Sequence, residues 1–338
     1  MNISRYLLVL ISFLLFQSCN DSKWKADVSN VDYNGEIARL DLAVFNLGSD
    51  LTKSDLLELQ KEYHGFLNVY LTQIMQVGEA ENAMTASLFQ RFVTDPNWIE
   101  LQEVIEKKHP NLDEESANLE RAFKRYSVLF KESDLPEIVA YNSGFNVGIY
   151  PEKEFLGIGL EWYSGNDLKI FDRLPPDLFP QYKRDKMMPE YMTINALKGW
   201  LIVRFQDKLN GQSLLNRMAF SGKINYIAAA LHQDLSDRIV LNYSEEQLEW
   251  CDNQEYEVWK FILENDLIFS VDAMAVNKMM NDGPFTPGMP PESPGGVGNY
   301  MGYEMVKAFM DRNENLTLAE LLNMKNDREF LKHYKPGR

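Results

Sequence analysis

Residues 135–160, LPEIVAYNSGFNVGIYPEKEFLGIGL, decide the fold. Three short runs rich in β-branched and aromatic residues alternate here with two turn-forming segments. The runs are 138–141, 145–150 and 155–160, and the turns are Asn142-Ser143-Gly144 and Pro151-Glu152-Lys153. Strand-prone runs separated by such turns predict β-hairpins. This stretch therefore predicts a small sheet of hairpins, whereas the sequence on either side of it has helical periodicity.

The segment before the sheet is predicted to be helical. Thr52-x-x-Asp55 has the pattern of a capping box and opens an amphipathic run that ends at Gly78. Residues 84–130 are also helical in pattern, with breaks at Asp95-Pro96 and His109-Pro110. These features predict an all-helical amino-terminal half, about 35–134.

Helices are predicted to resume after the sheet. Residues 193–205 place apolar side chains on one helical face, and capping boxes open helices at Ser244-x-x-Gln247 and Thr317-x-x-Glu320. The Pro- and Gly-rich stretch 281–298 is too broken for regular structure, which predicts an ordered surface loop. The fold class is therefore α+β and predominantly helical, with one globular domain over 35–338 whose second part, about 135–338, carries the sheet and further helices.

The first 18 residues have the pattern of a lipoprotein signal peptide. Arg5 precedes an uncharged apolar run, Tyr6 to Phe16, which is shorter than the roughly 20 residues that a membrane-spanning helix needs. Phe16-Gln17-Ser18-Cys19, at the end of this run, resembles a lipobox, so cleavage before Cys19 and acylation of its thiol are predicted. The alternative is an ordinary secretory signal with a chance cysteine.

Acylation of Cys19 would hold the chain on the non-cytoplasmic, periplasmic side of a membrane without crossing it, since two or more acyl chains anchor a protein stably. Residues 19–34 are polar and aperiodic, which predicts a flexible tether. The net charge of −16 opposes binding to phosphate backbones and anionic headgroups, so nucleic acid is excluded as a partner and membrane attachment is assigned to the lipid alone.

The residues that could carry chemistry are few. The histidines are His64, His109, His232 and His333, and none lies within five residues of another, so a His-Glu-x-x-His zinc helix cannot form. His64 and His109 are predicted to lie at the surface. No Gly-x-Ser-x-Gly nucleophile elbow occurs. Cys251 has no partner for a disulfide once Cys19 is acylated, and its helical context predicts an inert buried thiol.

Two further groups of residues allow two interpretations each. Gly295-Gly296-Val297-Gly298 precedes a helical pattern, which permits either phosphate binding or close packing of a loop; the absence of a Walker lysine and of a dinucleotide fingerprint favours packing. The four tryptophans of the second part of the chain are either core residues or a platform that stacks on a ligand, and their positions favour the core. They are Trp162, Trp200, Trp250 and Trp259.

Many short segments, taken in order, resemble the gliding motility lipoprotein GldB family of Bacteroidota. They extend across nearly the whole mature chain, and the lipobox agrees with them. The matching pieces are 39–41, 63–78, Gly157-Ile158-Gly159-Leu160-Glu161-Trp162-Tyr163, Met188-Pro189-Glu190-Tyr191, Lys198-Gly199-Trp200-Leu201, 222–226, 243–251, 255–259, Pro284-Phe285-Thr286, Gly298-Asn299-Tyr300-Met301-Gly302-Tyr303 and Tyr334-Lys335-Pro336.

That family is similar, more distantly, to zincin-like metalloproteases of the gluzincin type. In such enzymes a hairpin sheet precedes the His-Glu-x-x-His helix, and a glutamate on a later helix completes the zinc site. The resemblance implies that Asn195 and Gly199 occupy the histidine positions, Ala196 the position of the catalytic glutamate and Ser221 that of the later ligand. None of these side chains holds zinc in such a site, so the resemblance implies a zincin-like architecture with a degenerate active site, no metal and no cofactor.

Two functions of different classes follow. The first is a non-catalytic cell-envelope lipoprotein, a pseudoenzyme, that contacts protein partners in the gliding or secretion apparatus. The second is an envelope hydrolase or a glycan- or peptide-binding protein that uses the cleft left by the metal. The candidate residues of this cleft are Asn195, Ala196, Gly199, Ser221, His232, Tyr303 and Glu304.

Overall fold

The sheet predicted around residues 135–160 is present, but its topology is mixed. The computed structural model describes residues 23–233, 235–332 and 334–337. Its strands are β1 (Ile37–Arg39), β2 (Glu137–Tyr141), β3 (Ile149–Pro151) and β4 (Phe155–Gly159), in the order β1-β2-β4-β3. The β1–β2 and β2–β4 pairs are parallel, and only β3–β4 is an antiparallel hairpin. The hairpin prediction was therefore wrong for β2.

The residues of β2 explain its parallel pairing. Ile138 and Ala140 belong to one hydrophobic cluster, whereas Val139 and Tyr141 belong to a second cluster on the opposite face. A strand buried on both faces has a continuous apolar run rather than an alternating one, as is typical of parallel strands between helical layers. The predicted strand at 145–150 begins only at Ile149, because Phe145 lies in a turn with a φ of 68°.

The amino-terminal half is helical except for β1, so the expectation of an all-helical half was wrong at that strand. The capping box at Thr52 is confirmed, as are the breaks at Asp95 and His109. The continuous helix predicted up to Gly78 instead divides at Tyr63, because His64 adopts a φ of 44°. The elements are α1 (Leu40–Phe45), α2 (Lys53–Glu62), α3 (His64–Val69), a π-helical turn (Tyr70–Ile74), α4 (Ala83–Val93), α5 (Pro96–Lys108) and α6 (Asp113–Phe130).

The part after the sheet is helical as predicted, and the capping boxes at Ser244 and Thr317 are both confirmed. Its helices are α7 (Gln181–Arg184), α8 (Met192–Phe205), α9 (Leu214–His232), α10 (Asp237–Leu241), α11 (Glu245–Glu264), α12 (Ala273–Met280), α13 (Gly298–Arg312), α14 (Leu318–Asn323) and α15 (Arg328–Leu331). Residues 281–297 form an irregular ordered loop. It is held by Thr286, whose hydroxyl donates to the Pro294 carbonyl at 2.6 Å and accepts from the Val297 amide at 3.0 Å.

The sheet separates two hydrophobic clusters. The smaller cluster packs α2, α3 and α4 on one face, and the larger one joins the other face to α6, α8, α9 and α13. In the larger cluster, the backbones of α9 and α13 come into close contact. A Cβ atom added at Gly222 would lie 2.1 Å from the Gly302 carbonyl oxygen, so only glycine allows these backbones to meet. The fold is a predominantly helical α+β structure, as the sequence predicted.

Residues 23–34 contact the folded body. The Trp24 indole donates to the Tyr226 hydroxyl at 3.3 Å, and the Tyr33 hydroxyl donates to the Pro136 carbonyl at 2.7 Å. The prediction of a flexible tether over 19–34 is therefore wrong for this part, because two aromatic side chains give it hydrogen bonds and apolar contacts. Cys19 and the signal segment lie outside the described residues. Within 23–233, 235–332 and 334–337, no helix has the length and apolar character needed to cross a bilayer.

Candidate functional site

The positions that correspond to a metal helix lie on α8, and protein atoms fill the space around them. Ala196 is fully buried. Gly199 faces β3, where an added Cβ would lie 2.9 Å from Cγ2 of Ile149. The Asn195 side-chain oxygen accepts from the Asn242 amide at 2.8 Å. This face of α8 therefore packs against the sheet edge and the end of α10.

The other candidate cleft residues on α9 have separate partners. The Nε2 atom of His232 lies 3.0 Å from the Thr193 hydroxyl, and burial lowers the pKa of this imidazole. The Ser221 hydroxyl donates to the Asn299 side chain at 2.7 Å. Over the part of the chain that the structure describes, no three His, Cys, Asp or Glu side chains lie where they could hold one metal ion. The residues at the zincin-like positions do not fit zinc.

Tyr303 and Glu304 belong to a polar cluster between α10 and α13. The Tyr303 hydroxyl donates to Oδ1 of Asp237 at 2.8 Å. Lys307 pairs with Oδ2 of Asp237 at 2.7 Å and with Oε1 of Glu304 at 2.8 Å. Burial raises the pKa of Glu304, and the neighbouring Lys307 ammonium opposes that shift. The cluster ties two helices together.

His109 and Cys251 are buried and have structural roles. His109 is buried, with Nε2 3.1 Å from the Tyr163 carbonyl oxygen, so the prediction of a surface position was wrong for it. His64 is exposed, as predicted, and His333 lies outside the described residues. Cys251 is fully buried, and burial raises the pKa of its thiol far above the ordinary value, which agrees with an inert thiol.

An open cleft of about 650 Å³ lies between α8, α9, the end of α10 and the loop after α12. We call it the α8–α9 cleft. Of the candidate residues named from the sequence, Ser221 alone lines it. Its lining residues are Lys186, Lys198, Ile202, Gln206, Leu209, Arg217, Phe220, Ser221, Ile224, Asn225, Leu241, Asn242, Tyr243, Met280, Asn281, Asp282, Gly295 and Asn299.

Positive charge dominates the α8–α9 cleft. Lys186 pairs with Asp282 at 2.5 Å. Lys198 donates to the Val240 carbonyl at 2.5 Å, and burial together with the charge of Lys186 lowers the pKa of Lys198 to about 7. Arg217 makes neither an ion pair nor a side-chain hydrogen bond with any residue that the structure describes. The cleft thus carries three cationic side chains and one carboxylate in a chain whose net charge is −16.

Two buried polar atoms among the lining residues have no hydrogen-bond partner within the described part of the chain. They are the side-chain oxygen of Asn242 and the hydroxyl of Tyr243, a residue that is only 2% exposed. An unpaired buried polar atom costs about 1–3 kcal/mol, so such atoms need an explanation.

Family comparison identifies the chain. A family model described as gliding motility protein GldB matches residues 21–336, nearly the whole sequence after the signal segment. The chain belongs to the GldB family. Membership confirms the family that the short motifs indicated, and it implies a lipoprotein of the cell envelope that is involved in gliding motility. No curated protein and no solved structure matches the chain.

The GldB motifs gave no indication of the α8–α9 cleft. Lys198 is the one cationic lining residue inside a family motif, and Arg217 stands in a helical pattern where an arginine is ordinarily a solvated surface residue. The signal that the sequence offered was the spacing of Lys198 and Ile202, which places both on one face of α8, with Gln206 directly after its end. That spacing does not show which other segments of this GldB member complete the wall.

Proposed function

We propose that this GldB-family chain is a non-catalytic lipoprotein of the gliding machinery that acts by contacting other proteins. The observation that carries the proposal is the packing of α8, where Asn195 and Gly199 contact neighbouring protein groups instead of lining an open site. Water activation by zinc requires a firmly held ion with an open coordination position, and these side chains supply no such site.

The proposal includes a zincin-like origin of the scaffold. Its support is the order of the elements: the sheet precedes α8, which packs against the antiparallel edge strand β3, and α9 follows. Metal analysis of the purified protein combined with a peptide hydrolysis assay tests the loss of activity. Stoichiometric zinc with peptide cleavage would contradict it, whereas the absence of both supports it.

The anchor in this proposal is Cys19, acylated and held on the periplasmic side of a membrane. The support is the lipobox pattern together with membership of a lipoprotein family. A folded body placed beside a bilayer by its lipid meets membrane-embedded partners at high local concentration, since tethering makes the second contact effectively intramolecular.

Three exposed apolar side chains support a role in protein contacts. Phe269, Val271 and Met274 lie within six residues, at the start of α12, and are 50%, 71% and 68% exposed. Clustered exposed apolar groups mark interaction surfaces more often than isolated ones do. We therefore place a protein contact at this α12 entry.

Cross-linking followed by affinity capture of the acylated protein from its own envelope tests this contact. We expect a Val271→Glu, Met274→Glu double variant to recover at least tenfold less of the motility or secretion proteins. The matched control is Met84→Glu, because Met84 is 67% exposed on α4, which packs in the smaller hydrophobic cluster, whereas α12 packs in the larger one. Equal recovery by both variants, or no motility or secretion protein with the unaltered chain, would contradict the proposal.

The second candidate, binding of a peptide or glycan in a cleft, has one observation in its favour. The α8–α9 cleft is lined by three cationic side chains and several side-chain amides, although Gly199 and His232 do not line it. A hydrolase in that cleft has no comparable support.

A further inference from the structure

We propose that the α8–α9 cleft binds a peptide segment of a protein partner that presents a carboxylate, either from an acidic side chain or from its chain end. The inference rests on the proposed function in one respect, the role in protein contacts, and it names the chemistry of a partner. It concerns a surface distinct from the α12 entry.

The charge of the cleft favours a carboxylate. Arg217 has no carboxylate partner within the described residues, and Lys198 has only the Val240 carbonyl. In a chain with a net charge of −16, an acidic segment is repelled by most of the surface and attracted here. A guanidinium binds a carboxylate through two parallel hydrogen bonds, which also fixes its orientation. Arg217 is thus the residue expected to select the ligand.

The amide groups of the cleft favour a peptide backbone. Asn225 and Asn281 line the wall beside Asn242, whose side-chain oxygen is unpaired. The side-chain amides of Asn225 and Asn281 can donate to a peptide carbonyl and accept from a peptide N–H.

Apolar residues supply the rest of the wall. Ile202 is 45% exposed, and Phe220 and Ile224 face the cleft from α9. Ligand sites typically combine such apolar walls with a few polar groups that fix orientation, in a volume of about 300–1,000 Å³. The cleft, at about 650 Å³, accommodates a short segment with one apolar side chain next to its carboxylate.

Lys198 makes binding dependent on pH. The charged groups that face it in the cleft are Lys186, Arg217 and Asp282. With a pKa of about 7, Lys198 loses its proton as the pH rises from 6 to 8. A bound carboxylate favours the ammonium form, so binding takes up a proton, and the affinity is expected to fall about tenfold between pH 6 and pH 8.

Fluorescence anisotropy with the acylated protein in detergent tests the proposal. The probe is a fluorescein-labelled pentapeptide that alternates leucine or phenylalanine with aspartate and glutamate and keeps a free carboxyl end. Its control probe has asparagine, glutamine and an amidated end. We expect the acidic probe to bind at least tenfold more tightly than the control probe. We expect Arg217→Gln to weaken binding of the acidic probe at least tenfold.

Two further variants keep the test falsifiable. Lys325→Gln removes one charge from an exposed lysine outside the cleft and should change the affinity less than twofold. The Lys198→Arg variant should bind the acidic probe with the same affinity at pH 6 and at pH 8. Circular dichroism checks that every variant is folded.

Equal affinity for the acidic and control probes would overturn the inference. So would an equal loss of affinity for the acidic probe in Arg217→Gln and Lys325→Gln. Full competition by 10 mM inorganic phosphate but not by acetate would assign the cleft to a phosphate ligand and would also overturn it. The peptide-binding experiment tests the cleft alone, whereas the capture experiment with the α12 variants tests the proposed function. A negative result in one can therefore be distinguished from a negative result in the other.

Discussion

The ion pair between Lys223 on α9 and Asp327 before α15 gives the sharpest stability prediction. Its atoms lie 3.1 Å apart, and the two side chains are 1% and 2% exposed. Lys223 also donates to the Met324 carbonyl at 3.0 Å. The carboxylate accepts further bonds, from Asn210 at 2.9 Å and from Asn216 at 2.8 Å. The pair therefore docks the carboxyl-terminal segment on the core.

The perturbation is removal of one charge at a time. At 3.1 Å and an effective dielectric constant of about 20, the attraction is about 5 kcal/mol, most of which offsets the desolvation of both ions. Lys223→Met leaves the carboxylate buried without its cation, and Asp327→Asn leaves the ammonium without its anion. Each single variant is expected to lower the free energy of unfolding by about 3–5 kcal/mol.

The double variant distinguishes a true ion pair from simple packing. With both charges removed, neither ion is left unpaired, so we expect a loss of only about 1–2 kcal/mol relative to the unaltered chain. Urea unfolding of the unacylated mature chain at pH 7, followed by circular dichroism, measures all four proteins.

The control is Lys332→Met. Lys332 pairs with Glu329 at 2.7 Å, a shorter distance, but its side chain is 60% exposed, so its loss should cost less than about 1 kcal/mol. Single variants no worse than this control, or a double variant that loses the sum of the two single losses, would refute the reasoning.

Three other predictions concern the core, the pH and the anchor. Gly222→Ala places a methyl group 2.1 Å from the Gly302 carbonyl oxygen, so the melting temperature should fall by several degrees. An unchanged melting temperature would argue against a tight crossing. Burial raises the pKa of Glu161 from 4.5 to about 7, so between these values the folded state retains a proton that the unfolded state releases. The contribution of Glu161 to stability is therefore fully present below about pH 4.5 and is lost as the pH rises through 7. Glu161→Gln should remove this contribution and flatten the melting temperature between about pH 4.5 and 8, and an unchanged slope would contradict it. Cys19→Ser should abolish incorporation of a labelled fatty acid into the chain, and continued labelling would contradict the anchor.

Features encoded within a few residues could be predicted from the sequence. The capping boxes at Thr52, Ser244 and Thr317 all form, because each depends on hydrogen bonds between residues three apart. The helix of residues 193–205 follows from apolar spacing and is present as α8, where Trp200 is buried.

Features that depend on distant partners were predicted poorly. His109 has the sequence context of a helix end at the surface, yet the Tyr163 carbonyl and surrounding side chains bury it. Trp24 stands in a polar stretch, yet it packs on Tyr226, about two hundred positions later. Local composition does not indicate which distant residues these side chains contact.

By itself, the sequence determined the predominantly helical class, the family, and the absence of a His-Glu-x-x-His helix, because composition, ordered motifs and the count of histidines need no coordinates. Only the tertiary structure decided that β2 lies between the parallel strands β1 and β4, and that Lys198 and Arg217 share one cleft. Strand order and cleft formation depend on contacts between segments far apart in the chain. Such contacts are selected by the packing of the whole core, which no local pattern specifies.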